Sequence, residues 1–137
     1  MLARLSGCTV EFLSMWQLMF VGENPFHIST TGDLELILAP ALPGWLFKNE
    51  DNTYKVTFQF LNRVTVTYYN SHRRDTWSPL ARVSHIVAHT GTENNNSIIR
   101  VHGNILKGNL AKSVRGDSHS HSEGSEGVGN VYKLDVY

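Results

Sequence analysis

The chain has 137 residues, and 12 Lys+Arg balance 12 Asp+Glu, so with its seven histidines neutral the formal net charge is zero. That balance argues against a nucleic-acid binder, which needs a basic surplus or stripe to neutralise phosphates, and a hydrophobic content of 41% argues against wholesale disorder. The length suits one domain around one core, and a single cysteine excludes an intrachain disulfide framework and fits a reducing compartment.

The first segment, Met1 to Val21, is apolar from Phe12 onward, yet Glu11 precedes that run and Ser14 and Gln17 interrupt it. It is too short for a bilayer, which requires about 20 apolar residues. Leu5-Ser6-Gly7-Cys8 mimics a bacterial lipoprotein cleavage box, but only four residues precede it, leaving no apolar stretch to insert. A cytoplasmic protein without a membrane partner is therefore expected. Thr9 to Val21 reads as a helix: Val10, Leu13, Trp16 and Phe20 form one stripe, Phe12, Met15 and Met19 a second, and Leu18 and Val21 widen the coverage. A helix apolar nearly all round is normally buried on several sides. Ser6 or Thr9 can cap its start, and Gly22 follows its end.

The remainder reads as β. Leu34, Leu36 and Leu38 alternate with Asp33, Glu35 and Ile37; Pro40, Pro43 and Gly44 end that strand, and Trp45, Leu46 and Phe47 follow. Lys48 to Thr53 is a polar turn. Val56, Phe58 and Phe60 alternate with Lys55, Thr57 and Gln59, and Val64, Val66 and Tyr68 with Thr65, Thr67 and Tyr69. Asn62-Arg63 between them is predicted as a two-residue hairpin turn. Weaker strands are expected over Arg82–His89 and Ser97–His102, on either side of a turn at Thr90–Asn96. Gly103–Val114 is ambiguous, with a short helical turn near Leu110. Gly116–Asn130 is rich in Gly, Asn and Ser and reads as a flexible loop, before a last strand at Val131–Tyr137. The fold expected is mainly β: an antiparallel β-sandwich behind one N-terminal helix, divided into residues 1–24 and 25–137.

Several clusters carry potential chemistry. His119 and His121 with Glu123 and Glu126 echo a cupin metal motif, but Ser and Gly neighbours do not fix ligand geometry, so a solvated loop is the expectation and no metal or cofactor is assigned. His85 and His89 would share a strand face about 13 Å apart, too far for one metal. Asp33, Glu35, Glu50 and Asp51 make no acid/base pair. Cys8 reads as a small buried residue rather than a nucleophile, and Ser6 lacks a Gly-x-Ser-x-Gly elbow. Tyr68, Tyr69, Trp45 and Trp77 could form a sugar-stacking surface, although aromatics in sandwiches are more often core. His72-Arg73-Arg74 is a basic turn that could meet an anionic ligand or another domain.

The order of segments is more specific than any of these clusters. Leu5-Ser6-Gly7 leads into the helix with Phe12 and Trp16. Then come Gly22, Pro25, the strand Asp33-Leu34-Glu35-Leu36, Pro40-Ala41-Leu42-Pro43-Gly44-Trp45, and the strands Val56–Leu61 and Val64–Asn70. Over about residues 4–70 this resembles the C-terminal part of the cellobiose phosphorylase family of inverting glycoside phosphorylases. The resemblance implies an (α/α)6 barrel flanked by β-sandwich domains, acting on a β-glucoside and phosphate. It implies that the helix is a late barrel helix, and that Ser6 and Gly7 stand where a Thr-Gly loop contributes to phosphate binding, with Cys8 in place of the second threonine. The family's catalytic aspartate lies upstream of the matching segment. The chain alone is thus expected not to catalyse, and its partner is expected to be the (α/α)6 catalytic domain or chain, through which it would meet glucoside and phosphate. The alternative is a stand-alone carbohydrate-binding β-sandwich module.

Overall fold

The computed structural model describes residues 2–92, 95–116 and 130–137, and the side chains of residues 2–9, 92 and 95 lie outside that description. The protein is mainly β, with two sheets and an N-terminal helix. The helix, α1, spans Leu2–Phe20. It starts seven residues before the apolar stripe predicts, so Ser6 and Gly7 lie inside helical backbone and the loop expected ahead of the helix is not there.

A three-stranded sheet joins β1 (Phe26–Ile28), β2 (Leu34–Ile37) and β8 (Ile105–Lys107) in the order β1-β2-β8. A six-stranded sheet is built from β3 (Lys48–Glu50), β4 (Thr53–Phe60), β5 (Val64–Tyr69), β6 (His85–Thr92), β7 (Asn95–His102) and β9 (Asn130–Val136), in the order β3-β4-β5-β9-β6-β7. The pairings are antiparallel except that β9 runs parallel to β5, which corrects a purely antiparallel sandwich. A parallel neighbour needs a long crossover; here the chain between β5 and β9 contains β6, β7, β8 and a second helix, α2 (Asn109–Arg115).

Turn chemistry sets the hairpins. Asp51 and Asn52 take φ of 53° and 61°, the positive pair that a two-residue hairpin demands, so Lys48–Glu50 is a strand rather than part of the turn. Between β4 and β5 the positive φ values fall on Leu61 and Asn62, one residue earlier than the expected Asn62-Arg63 turn. β6 and β7 also run further than expected, pairing out to Thr92 and Asn95 through the segment read as a turn.

Period-two alternation aims one face of each strand inward. Phe58 and Phe60 from β4, Val64, Val66 and Tyr68 from β5, Ile86 and Ala88 from β6, and Leu134 and Val136 from β9 form one buried layer. They share a single core cluster with Leu34 and Leu36 of β2, Leu106 of β8, and Ala111 and Val114 of α2. α2 ends at Gly116, whose φ of 99° is a left-handed cap that a side chain rarely adopts.

Candidate functional site

The described side chains of α1, from Val10 onward, fall into two sets with different surroundings. At its C-terminal end Trp16 stacks on Phe20 with ring centroids 4.9 Å apart, and both reach Phe58, at 5.4 and 5.1 Å. The Tyr68 hydroxyl donates to the Phe20 carbonyl at 2.6 Å, and burial pushes that hydroxyl's pKa up. The Ala41 N–H donates to the Met19 carbonyl at 2.7 Å and the Ala39 N–H to Val21 at 3.0 Å, supplying partners for carbonyls that a helix end leaves open. The last turn is thereby fixed to the β domain.

Between Val10 and Leu18 the apolar side chains are largely uncovered. Leu13 lies on the same stripe as Trp16 and Phe20, and Phe12 one turn ahead of Trp16, yet Leu13 is 64% exposed and Phe12 72%. Val10, Met15 and Leu18, around the rest of the circumference, are exposed as well. The ring contacts with Phe58 are made by Trp16 and Phe20, nearer the helix's C-terminal end. Single exposed apolar residues are ordinary, whereas contiguous apolar patches on this scale mark interaction surfaces. The polar residues along this stretch are Glu11, Ser14 and Gln17. No described helix is long and apolar enough to cross a membrane.

The outer face of the six-stranded sheet carries the aromatic row. Tyr69 and Tyr137 stack at 4.5 Å with planes 4° apart, and Tyr137 stacks on His85 at 4.7 Å. Rings that stack on one another have used faces a sugar would need. Tyr68, from the same predicted sugar-stacking set, is in the core. Trp45 and Trp77 are exposed, on two loops held together by Gly44 N–H to the Asp75 carboxylate at 2.7 Å and Leu42 N–H to the Thr76 hydroxyl at 2.8 Å. The same loops approach so closely at Gly44 that a Cβ there would meet the Arg73 carbonyl oxygen.

Beside the ring row, sequence reading missed a network. The buried Asp135 carboxylate binds His89 Nε2 at 2.7 Å, Lys133 Nζ at 3.5 Å and the Tyr69 hydroxyl at 3.5 Å. Desolvation, then the Asp135 and Tyr137 charges, push the Tyr69 hydroxyl up to about 12. His85 is shifted down, by desolvation first and then by Arg100 and His102. His85 and His89 therefore have separate partners.

The predicted carboxylates are engaged in local structure. Glu35 pairs with His27 at 2.8 Å and Lys107 at 3.5 Å, Glu50 with Lys55 at 3.2 Å, and Asp33 accepts from Thr31 at 3.2 Å, while Asp51 sits in its turn. Among the described residues no group of three or more His, Cys, Asp or Glu could hold a metal ion. His119, His121, Glu123 and Glu126 lie outside the described residues. In the basic turn, Arg73 sits over the Tyr54 ring at 5.3 Å, and the Asn70 side chain clamps the Arg74 backbone.

Ser6 and Gly7 are the sites the family resemblance assigns to phosphate. They follow the first four residues of α1, whose N–H groups are the ones a helix leaves open to an anion. Compared with known proteins, the chain matches no family model, no curated protein and no solved structure.

Proposed function

We propose that this chain is a non-catalytic β-sandwich domain that docks, through α1, onto a larger catalytic partner. By the order of its segments, that partner is the (α/α)6 barrel of a glycoside phosphorylase-like enzyme. The observation that carries the reading is the division of α1. Its last turn is built into the β core, while Val10, Phe12, Leu13, Met15 and Leu18 project as apolar surface. Burying such side chains stabilises by roughly 1.5–3 kcal/mol each. Five of them on one helix offer a partner's helices a substantial driving force, even after the cost of association. In this reading the chain meets β-glucoside and phosphate only through its partner.

The test is reconstitution. The full chain is mixed with the (α/α)6 domain of a cellobiose phosphorylase from which the C-terminal sandwich has been deleted, and complex mass is measured by light scattering. A 1:1 complex that is lost in Phe12→Lys/Leu13→Lys is expected. A wild-type chain that forms no such complex would overturn the barrel assignment.

A second reading, a free-standing carbohydrate-binding module, has exposed Trp45 and Trp77 in its favour. It requires tryptophan fluorescence to shift on titration with cello-oligosaccharides; an unchanged spectrum at millimolar sugar would exclude it.

A further inference from the structure

A cleft of about 590 Å3 opens between the end of β5, the loop that follows it and the C-terminal residue of the chain. Its size is that of a site for a small organic molecule rather than for a bare ion. Its charge is one-sided. His72, Arg74 and Arg82 line it, and no Asp or Glu side chain does so among the described residues. In a chain of zero formal net charge such a concentration is a local feature. Tyr137 also lines the cleft, and its backbone carbonyl oxygen accepts the Ser84 N–H at 2.7 Å.

The two guanidinium groups are lightly committed. Arg82 has no hydrogen-bond or ion-pair partner among the described residues. Arg74 donates to the Leu80 carbonyl at 3.5 Å, at the long limit for such a bond. The backbone that carries Arg74 is nevertheless held firmly, because the Asn70 amide donates to the Arg74 carbonyl at 2.6 Å and accepts its N–H at 3.1 Å. Thr76 adds a bond from its hydroxyl to the Pro40 carbonyl at 2.7 Å. A fixed loop that presents the lightly held guanidinium of Arg74, in a cleft that Arg82 also lines, suits a planar or tetrahedral oxyanion. The lining also includes apolar side chains, Leu80 and Val83 beside the buried Leu38 and Val136.

We infer that this cleft binds a phosphate monoester of about monosaccharide size, its phosphate on Arg74 and Arg82 and its body against the apolar lining at Leu80 and Val83. Two guanidiniums match a phosphate of charge about −1.5 to −2 at neutral pH better than a single carboxylate. The inference does not depend on the docking role of α1, and its test needs no partner protein.

The full chain is titrated calorimetrically with glucose 6-phosphate, and with glucose, inorganic phosphate and gluconate as comparison probes. Saturable binding of glucose 6-phosphate is expected, tighter than that of inorganic phosphate or gluconate, with none for glucose. Arg82→Gln should weaken it about tenfold, as loss of a charge-assisted hydrogen bond does. Arg82→Lys should lie between the two. Arg82 is exposed, so thermal unfolding of both variants should match wild type and keep the comparison interpretable. The inference would be overturned by absence of saturable binding, by equal affinity in Arg82→Gln, or by glucose binding as well as its phosphate. Inorganic phosphate binding as tightly as the sugar phosphate would equally overturn it.

Discussion

At the residue scale, the Asp135 network is the most demanding polar arrangement. A carboxylate this buried is tolerated because His89, Lys133 and Tyr69 converge on it from two other positions of the sheet and from its own strand. Asp135→Ala is expected to cost about 1–3 kcal/mol, since it strands the groups that now donate to the carboxylate. Asp135→Asn, which keeps an acceptor, should cost less; chemical denaturation of the three proteins checks the order. His85 offers a second readout. Its folded-state pKa is lowered, so the unfolded chain holds the proton more tightly. The group therefore opposes folding as pH falls through the ordinary imidazole range, and contributes nothing above it. The His85 ring should titrate below a free histidine by NMR, and His102→Gln should raise its midpoint. A midpoint at or above the ordinary value would contradict the crowding by Arg100 and His102.

At the element scale, the β4–β5 hairpin contains a local conflict. Leu61 adopts a φ of 53° although it is neither Gly nor Asn, and its side chain is half exposed. The left-handed conformation costs such a residue roughly 1–2 kcal/mol. Replacing Leu61-Asn62 by Asn-Gly, the pair suited to two positive φ values, should raise stability by about 1 kcal/mol; a lower melting temperature would show that Leu61 contributes packing that outweighs the strain. This hairpin was largely legible from its alternation, and only the turn was misplaced, because a leucine gives no signal for positive φ. The start of α1 was illegible for the opposite reason: Ser6 and Gly7 read as a cap and a loop, yet the helix runs through them. The insertion of β9 between β5 and β6, parallel to the first, leaves no local trace in the sequence. For the same reason the His89–Asp135 contact, between residues 46 apart, could not be anticipated: His89 was singled out, but nothing local marked Asp135 as its partner.

At the scale of the whole molecule, a closed β core contrasts with a helix that leaves it. The sheets bury one continuous cluster, and among its described side chains α1 joins that cluster through its last turns, with Phe20 and Met19 packed against it and Val21 fully buried just beyond the helix end. The all-round apolar character of the helix was legible in the sequence; which part of it the chain itself covers was not, because that depends on where the sheet ends. The uncovered apolar side chains between Val10 and Leu18 leave this stretch of the helix little tertiary packing to hold it helical in water, and most helical stability in proteins comes from such packing. The most direct measurement is hydrogen exchange on the monomeric full chain, followed residue by residue along α1 and the strands. The docking account predicts fast exchange from Val10 to Leu18 beside slow exchange in β4, β5, β6 and β9, with protection of the helix appearing when the barrel domain is added. A monomer whose helix is as protected as its strands would contradict it, because the helix would then need no partner.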